Sequence, residues 1–98
     1  MLRAAMFVKL LTVDLHIPGC QSLKEKRFVL QSLKARLRGR FNASVAEVDH
    51  QDKWQRSTIA IAMVGSDHKT VDETCGSIRR FIEGDPRVTV ADALEEFR

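Results

Sequence analysis

The sequence predicts an α+β fold in which two helices pack on one face of a four-stranded antiparallel sheet. Three observations carry that expectation. Four segments have the two-residue periodicity or the continuous apolar character of strands, and two others repeat their apolar residues at the helical period. The order along the chain is β-α-β-β-α-β, two crossover helices around a central hairpin. The chain has 98 residues, enough for one hydrophobic core and too few for two, so residues 1–98 read as a single domain.

Residues 5–17 read as the first strand. Leu11, Val13, Leu15 and Ile17 alternate there with Thr12, Asp14 and His16, giving one apolar face and one mixed face. Pro18-Gly19 ends the strand in a turn. Ser22 with Glu25 three residues later is a capping-box pattern, and a helix of about five turns should follow. Leu23, Leu30, Leu33, Leu37 and Phe41 share one arc of it, with Gly39 or Asn42 marking its end. Residues 43–49 form the second strand, with Val45 and Val48 its largest apolar residues. His50-Gln51-Asp52-Lys53 forms a hairpin connection whose turn type is open, because neither Asn-Gly nor Asp-Gly is present. Residues 57–65 are apolar on both faces, Ile59, Ile61 and Met63 on one and Ala60, Ala62 and Val64 on the other, as a central strand requires. Ser66-Asp67 caps a second helix with a Val71, Cys75, Ile78 and Ile82 stripe, closed by Gly84 and Asp85-Pro86. Residues 87–92 are a short fourth strand, and 93–98 a last turn or frayed end. The whole is the ferredoxin-like, two-layer sandwich topology.

Composition narrows the class. Hydrophobic residues make up 44% and charged residues 30%, an ordinary globular balance. No apolar run approaches the roughly 20 residues that span a bilayer, and residues 1–9 lack an apolar stretch followed by a cleavage site. Two cysteines, Cys20 and Cys75, do not make a disulfide framework. The expectation is a cytoplasmic protein with both thiols reduced. Net charge is +3, but residues 22–40 carry Lys24, Lys26, Arg27, Lys34, Arg36, Arg38 and Arg40 against Glu25 alone, +7 − 1 = +6, leaving −3 for the rest.

Two runs add a family resemblance. His16-Ile17-Pro18-Gly19 with Ser22-Leu23-Lys24-Glu25-Lys26-Arg27, and Phe41-Asn42-Ala43-Ser44-Val45-Ala46-Glu47-Val48-Asp49 with Trp54-Gln55-Arg56, resemble the signature of the YlxP-like family of small bacterial proteins of unknown function. The resemblance covers nearly the whole chain. It implies a ferredoxin-like fold and a bacterial cytoplasmic origin. It brings no catalytic or binding residues with it. Members tend to be encoded near ribosome-maturation and translation factors, which implies a connection to RNA or the ribosome by association only.

The first helix offers the strongest candidate site. Lys24, Arg27, Gln31, Lys34 and Arg38 recur at three- and four-residue steps and form one stripe beside the apolar arc. Cations on a rigid rod suit a phosphate backbone, where they confer affinity without reading sequence. Arg36 and Arg40 sit on the opposite flank and could extend the surface. The same stripe also fits a solvated face whose last cations favour the helix dipole. Trp54, between Lys53 and Arg56, either covers the core beneath the hairpin or serves as an exposed contact, with Arg56 beside it. Base stacking on the sheet itself finds no support, because the third strand carries no aromatic residue.

Enzyme signatures are missing. Asp49, His50 and Asp52 could serve acid–base chemistry or hold a metal, but consecutive strand residues point to opposite faces and hairpin loops are commonly polar. Cys20 stands next to a helix N-terminus without an evident base, and Cys75 belongs to an apolar stripe. The cysteines and histidines show no zinc spacing. There is no phosphate-binding glycine loop and no nucleophile elbow. The expectation is therefore a non-catalytic RNA- or ribosome-associated module with no cofactor, no membrane contact and no small-molecule ligand. The alternative is a protein-interaction or dimerisation module that covers its open strand edges or the Phe28-Val29 pair. A hydrolase of unrecognised type would need a pocket that joins His50 or Cys20 to a perturbed partner.

Overall fold

The computed structural model describes residues 4–98. Residues 1–3, part of the segment read for a leader, lie outside them. Six elements follow in the expected order: β1 (Phe7–His16), α1 (Leu23–Arg40), β2 (Ala43–Asp49), β3 (Arg56–Gly65), α2 (His68–Glu83) and β4 (Thr89–Phe97). One sheet has the strand order β2-β3-β1-β4, and every neighbouring pair is antiparallel. This is the ferredoxin-like α+β arrangement. No helix among the described residues is long and apolar enough to cross a membrane.

The core lies between the sheet and the helices. Leu11, Val13, Leu15 and Ile17 meet Ile59, Ile61 and Met63 from the sheet, Leu30, Leu33 and Leu37 from α1, and Val71, Cys75, Ile78 and Ile82 from α2. Both helix stripes are thus buried as their periodicity requires. At the start of α1 the Ser22 hydroxyl accepts the Glu25 N–H, while the Glu25 carboxylate accepts the Gln21 N–H rather than that of Ser22. Pro18 and Gly19 form a tight turn closed by the Cys20 N–H on the Ile17 carbonyl, with Gly19 at φ 76°, a conformation that glycine adopts without a Cβ clash.

Two expectations change. The helix α1 runs through Gly39 and ends at Phe41 in extended conformation, because nothing requires glycine where the exit is not left-handed. The fourth strand extends to Phe97, and the Arg98 N–H reaches the Val8 carbonyl. The 93–98 segment reads as a frayed end only while its partner is unknown: β1 supplies unpaired backbone as far as Lys9, and the ladder continues to use it. On β3, the Ala60, Ala62 and Val64 face is not covered by the chain, and Val64 is exposed together with Val48 of β2 and Leu94 of β4. The strand is internal to the sheet and the helices cover one side of it, both as expected.

Candidate functional site

Helix α1 has two flanks with different surroundings. Both follow from its sequence: the leucine arc fixes the side that faces the sheet, and this sends the remaining residues toward β2 on one side and α2 on the other.

The flank toward β2 carries Arg27, Lys34 and Arg38; Lys24 continues the stripe at the outer crest of the helix, where it also lines a hollow with Phe28, Val29 and Arg87. None of the four cations in the stripe has a carboxylate partner among the described residues. Arg38 Nη2 donates to the Val45 carbonyl at 2.6 Å and so leans on the edge strand β2. From Lys24 to Arg38 the stripe is about 21 Å long at the α-helical rise.

The flank toward α2 holds its cations in place. Asp85, whose carboxylate is fully buried, accepts Arg87 Nε at 3.0 Å and Nη2 at 2.8 Å, and Arg36 Nη1 at 3.3 Å. The Arg87 hydrogen bonds outweigh burial and hold the Asp85 carboxyl below the usual carboxylate range. Arg36 and Arg40 also lie over the Phe81 ring, at 5.0 and 5.4 Å. The structure thus divides the predicted basic set. Lys24, Arg27, Lys34 and Arg38 stay together as one surface, while Arg36 and Arg40 belong to the α1–α2 seam.

The seventh cation, Lys26, is buried. Its ammonium pairs with Glu47 at 2.9 Å and donates to the carbonyls of His50 and Lys53 at 2.6 and 2.7 Å. It therefore ties the first turn of α1 to the β2–β3 loop. Counted by composition, Lys26 adds to the basic surface; by position it falls on the leucine arc, one residue before Arg27, and that spacing is the signal that marks it as inward-facing.

Hydrogen bonds fix the loop it holds. The Lys53 N–H closes a turn on the His50 carbonyl at 3.0 Å, and His50 adopts a left-handed φ of 61°. Leaving the strand this way brings the His50 ring to 4.0 Å from the Asp49 carboxylate, so these two residues converge where an ideal strand would part them. Gln55 Nε2 donates to the Cys20 carbonyl at 3.1 Å, and the Ile17 N–H to the Gln55 carbonyl at 2.9 Å. Trp54 stands between these anchors and is 53% exposed. It does not cover the core. Arg56 follows at the start of β3, paired across the ladder with His16.

Chain direction places this loop at the N-terminal end of the α1 stripe. His16, the end of β1, is level with Arg56, and β2 ends at the same side. The stripe therefore runs beside β2 from Arg38 at Val45 toward Lys24, Arg27 and the Trp54 loop. The two runs that suggested a family resemblance meet here.

A family described as a protein of unknown function, DUF503, matches residues 8–94, which take in all but the first residue of β1 and the last three of β4 and include both motif loops. The chain belongs to this family. It is 37% identical over 67 residues to the uncharacterized protein YlxP of Bacillus subtilis (strain 168), a match that covers 68% of this chain and 73% of that protein. Neither description names an activity or a site residue. Cys75 is buried, and desolvation raises its thiol to about 11, so it is protonated and inert at neutral pH. Cys20 is buried, with its thiol donating to the Ser22 carbonyl. No group of three His, Cys, Asp or Glu residues is placed to hold a metal ion among the described residues.

Two further residues escaped the sequence reading. Asp85 was legible only as a helix terminator, yet its carboxylate organises three cationic contacts. Lys9 is buried in the sheet and paired with Asp72 and, at 2.7 Å, Glu95. Its alternation with Leu11 and Val13 is the signal that places it on the core face.

Proposed function

We propose that this protein is a non-catalytic RNA-binding module, associated with RNA or ribosomal particles in the cytoplasm, that grips the nucleic-acid backbone through α1. One observation carries the reading: Lys24, Arg27, Lys34 and Arg38 form an unneutralised line on a rigid helix, although carboxylates elsewhere in the chain pair with Lys9, Lys26, Arg36, Arg79 and Arg87. Such a line attracts polyanions and contacts phosphates without reading bases. The Trp54-Arg56 loop at its end supplies an aromatic and a further cation.

The test is capture of RNA and ribosomal particles from a bacterial lysate at low and raised salt, with a labelled oligoribonucleotide titrated in parallel. Binding should weaken steeply with salt. In an R27Q/K34Q/R38Q variant, the log–log salt slope should fall by about 2, the weight of three phosphate contacts on a single strand. Full affinity in that variant would remove α1 as the site.

A second reading, self-association, has its own observation. Phe28 is 72% exposed beside a mainly apolar hollow of about 540 Å³ lined by Ile17, Pro18, Cys20 and Val29, with Lys24, Glu25 and Arg87 also on its wall. Light scattering decides it, since a strict monomer at high concentration leaves no role for Phe28 in pairing.

A further inference from the structure

An exposed tryptophan on a rigid backbone is an unusual use of a large apolar side chain. Solvent exposure forfeits its burial, and only a partner restores that. In this chain the backbone on both sides of Trp54 is fixed. Lys53 is held through its carbonyl by Lys26 and through its N–H by His50. Gln55 is held through its carbonyl by Ile17 and through its side chain by Cys20. The left-handed His50 that starts the turn is stabilised by the same lysine. Fixing the backbone in this way lowers the entropy that a ring must lose on binding. Beside the ring is an open hollow of about 520 Å³ lined by His16, Asp52, Lys53, Trp54, Gln55 and Arg56. Two of its lining residues are cations, and the α1 line of cations leads toward it.

We propose that Trp54 is a stacking platform for one unpaired base of an RNA whose backbone lies along α1, with Arg56 and Lys53 beside the adjoining phosphates. This rests on the RNA reading of α1 and adds a ligand class to it: a single strand, a loop or an overhang, in preference to a closed duplex. A duplex keeps its bases stacked on each other and offers none to the indole face. Base identity matters little, because every base has a π-face. Lys26 is a positioning residue here, since it touches the loop and not the ligand.

Trp54 is the sole tryptophan and the chain has no tyrosine, so intrinsic fluorescence reports this one ring. The experiment titrates the full chain with a mixed-sequence single-stranded oligoribonucleotide and with a blunt duplex of equal length. It follows tryptophan emission and, separately, the anisotropy of a labelled oligonucleotide. The single strand should quench Trp54 and bind more tightly than the duplex. W54A should weaken the single strand by roughly 10-fold, about the weight of one stacked base, and W54F should restore most of that loss. The salt slope should remain, because the α1 cations are untouched. Salt-dependent binding with unchanged emission and full affinity in W54A overturns the stacking role and leaves the α1 reading standing. Equal affinity and equal quenching by the duplex also overturns it. No binding of either probe at low salt overturns both. Trp54 is exposed and carries no hydrogen bond in the fold, so W54A should fold as the parent does.

Discussion

The two flanks of α1 carry the same kind of residue and put it to different uses. Toward α2, Arg36 pairs with the buried Asp85 carboxylate and lies over the Phe81 ring, while Arg40 lies over the same ring and pairs with no carboxylate among the described residues. On the other side, Lys24, Arg27 and Arg38 are exposed and Lys34 is half-buried, and none of the four pairs with a carboxylate among the described residues. The difference shows that a local charge of +6 overstates the available surface. Lys26 pairs with Glu47 and Arg36 with Asp85, which leaves the Lys24, Arg27, Lys34 and Arg38 line, and Arg40 over Phe81, without a carboxylate partner among the described residues. The contrast also predicts a separation of effects. Changes on the α2 flank should act on stability, and changes on the β2 flank on ligand affinity.

The largest stability effect is expected at Asp85. Replacing it with alanine leaves Arg87 and Arg36 facing each other across the seam, and removes the acceptor for the Arg87 backbone N–H at 2.9 Å. Breaking a buried ion pair costs about 3–5 kcal/mol, and the low end applies because both arginines keep contact with water. Urea unfolding should give a loss of about 3 kcal/mol for D85A. The R27Q/K34Q/R38Q variant should stay within about 0.5 kcal/mol of the parent in the same assay, as surface changes do. A comparable loss in both variants would erase the distinction between the flanks.

How far the sequence reaches follows the same division. The order of elements along the chain, both helices and most of the core are set by periodicity and by the Pro18-Gly19, Ser22 and Asp67 signals, which act within a few residues. The stripe of Lys24, Arg27, Lys34 and Arg38 is likewise a matter of angle on one helix. What the sequence hides is pairing across distance. Asp85 meets Arg36 from a loop forty-nine positions away, and Lys26 reaches carbonyls on a hairpin. The length of β4 depends on how much of β1 remains unpaired. The exposure of Trp54 depends on four hydrogen bonds contributed by other segments. None of these leaves a periodic trace.

Acid gives a finer test of the comparison. The Asp85 carboxyl lies below its usual 3.8 because of the Arg87 hydrogen bonds, and that of Glu95 is lowered from 4.5 to about 2 by hydrogen bonds from Lys9 and Arg79. A carboxylate with a depressed folded pKa stabilises the fold at pH above its ordinary value, and this contribution disappears as the pH falls through the folded value. The melting temperature should therefore be level above pH 4.5 and drop between pH 4.5 and about 2. E95Q should have a lower melting temperature at neutral pH and a shallower drop in that window. The R27Q/K34Q/R38Q variant should show the parent's acid profile, since it leaves both carboxylates and their partners in place. A parent profile that is flat down to pH 2 would mean that neither carboxylate is held as described.

Arg40 offers the smallest effect and the sharpest division. Its guanidinium lies 5.4 Å from the Phe81 ring and 6.0 Å from that of Phe41. It is exposed and pairs with no carboxylate among the described residues. An exposed cation–π contact contributes about 0.5–1 kcal/mol, so R40Q should shift the urea midpoint only slightly. Its charge is nevertheless as large as that of Arg38, two residues earlier, and a purely long-range attraction between a basic helix and RNA would weight both alike. Contact along the β2 flank would not. R38Q should therefore reduce the salt slope of oligoribonucleotide binding by about 0.7, the weight of one phosphate on a single strand, while R40Q leaves it within error of the parent. Equal slopes in the two variants would mean that the RNA responds to the helix's net charge, and that the line beside β2 has no special standing as a docking path.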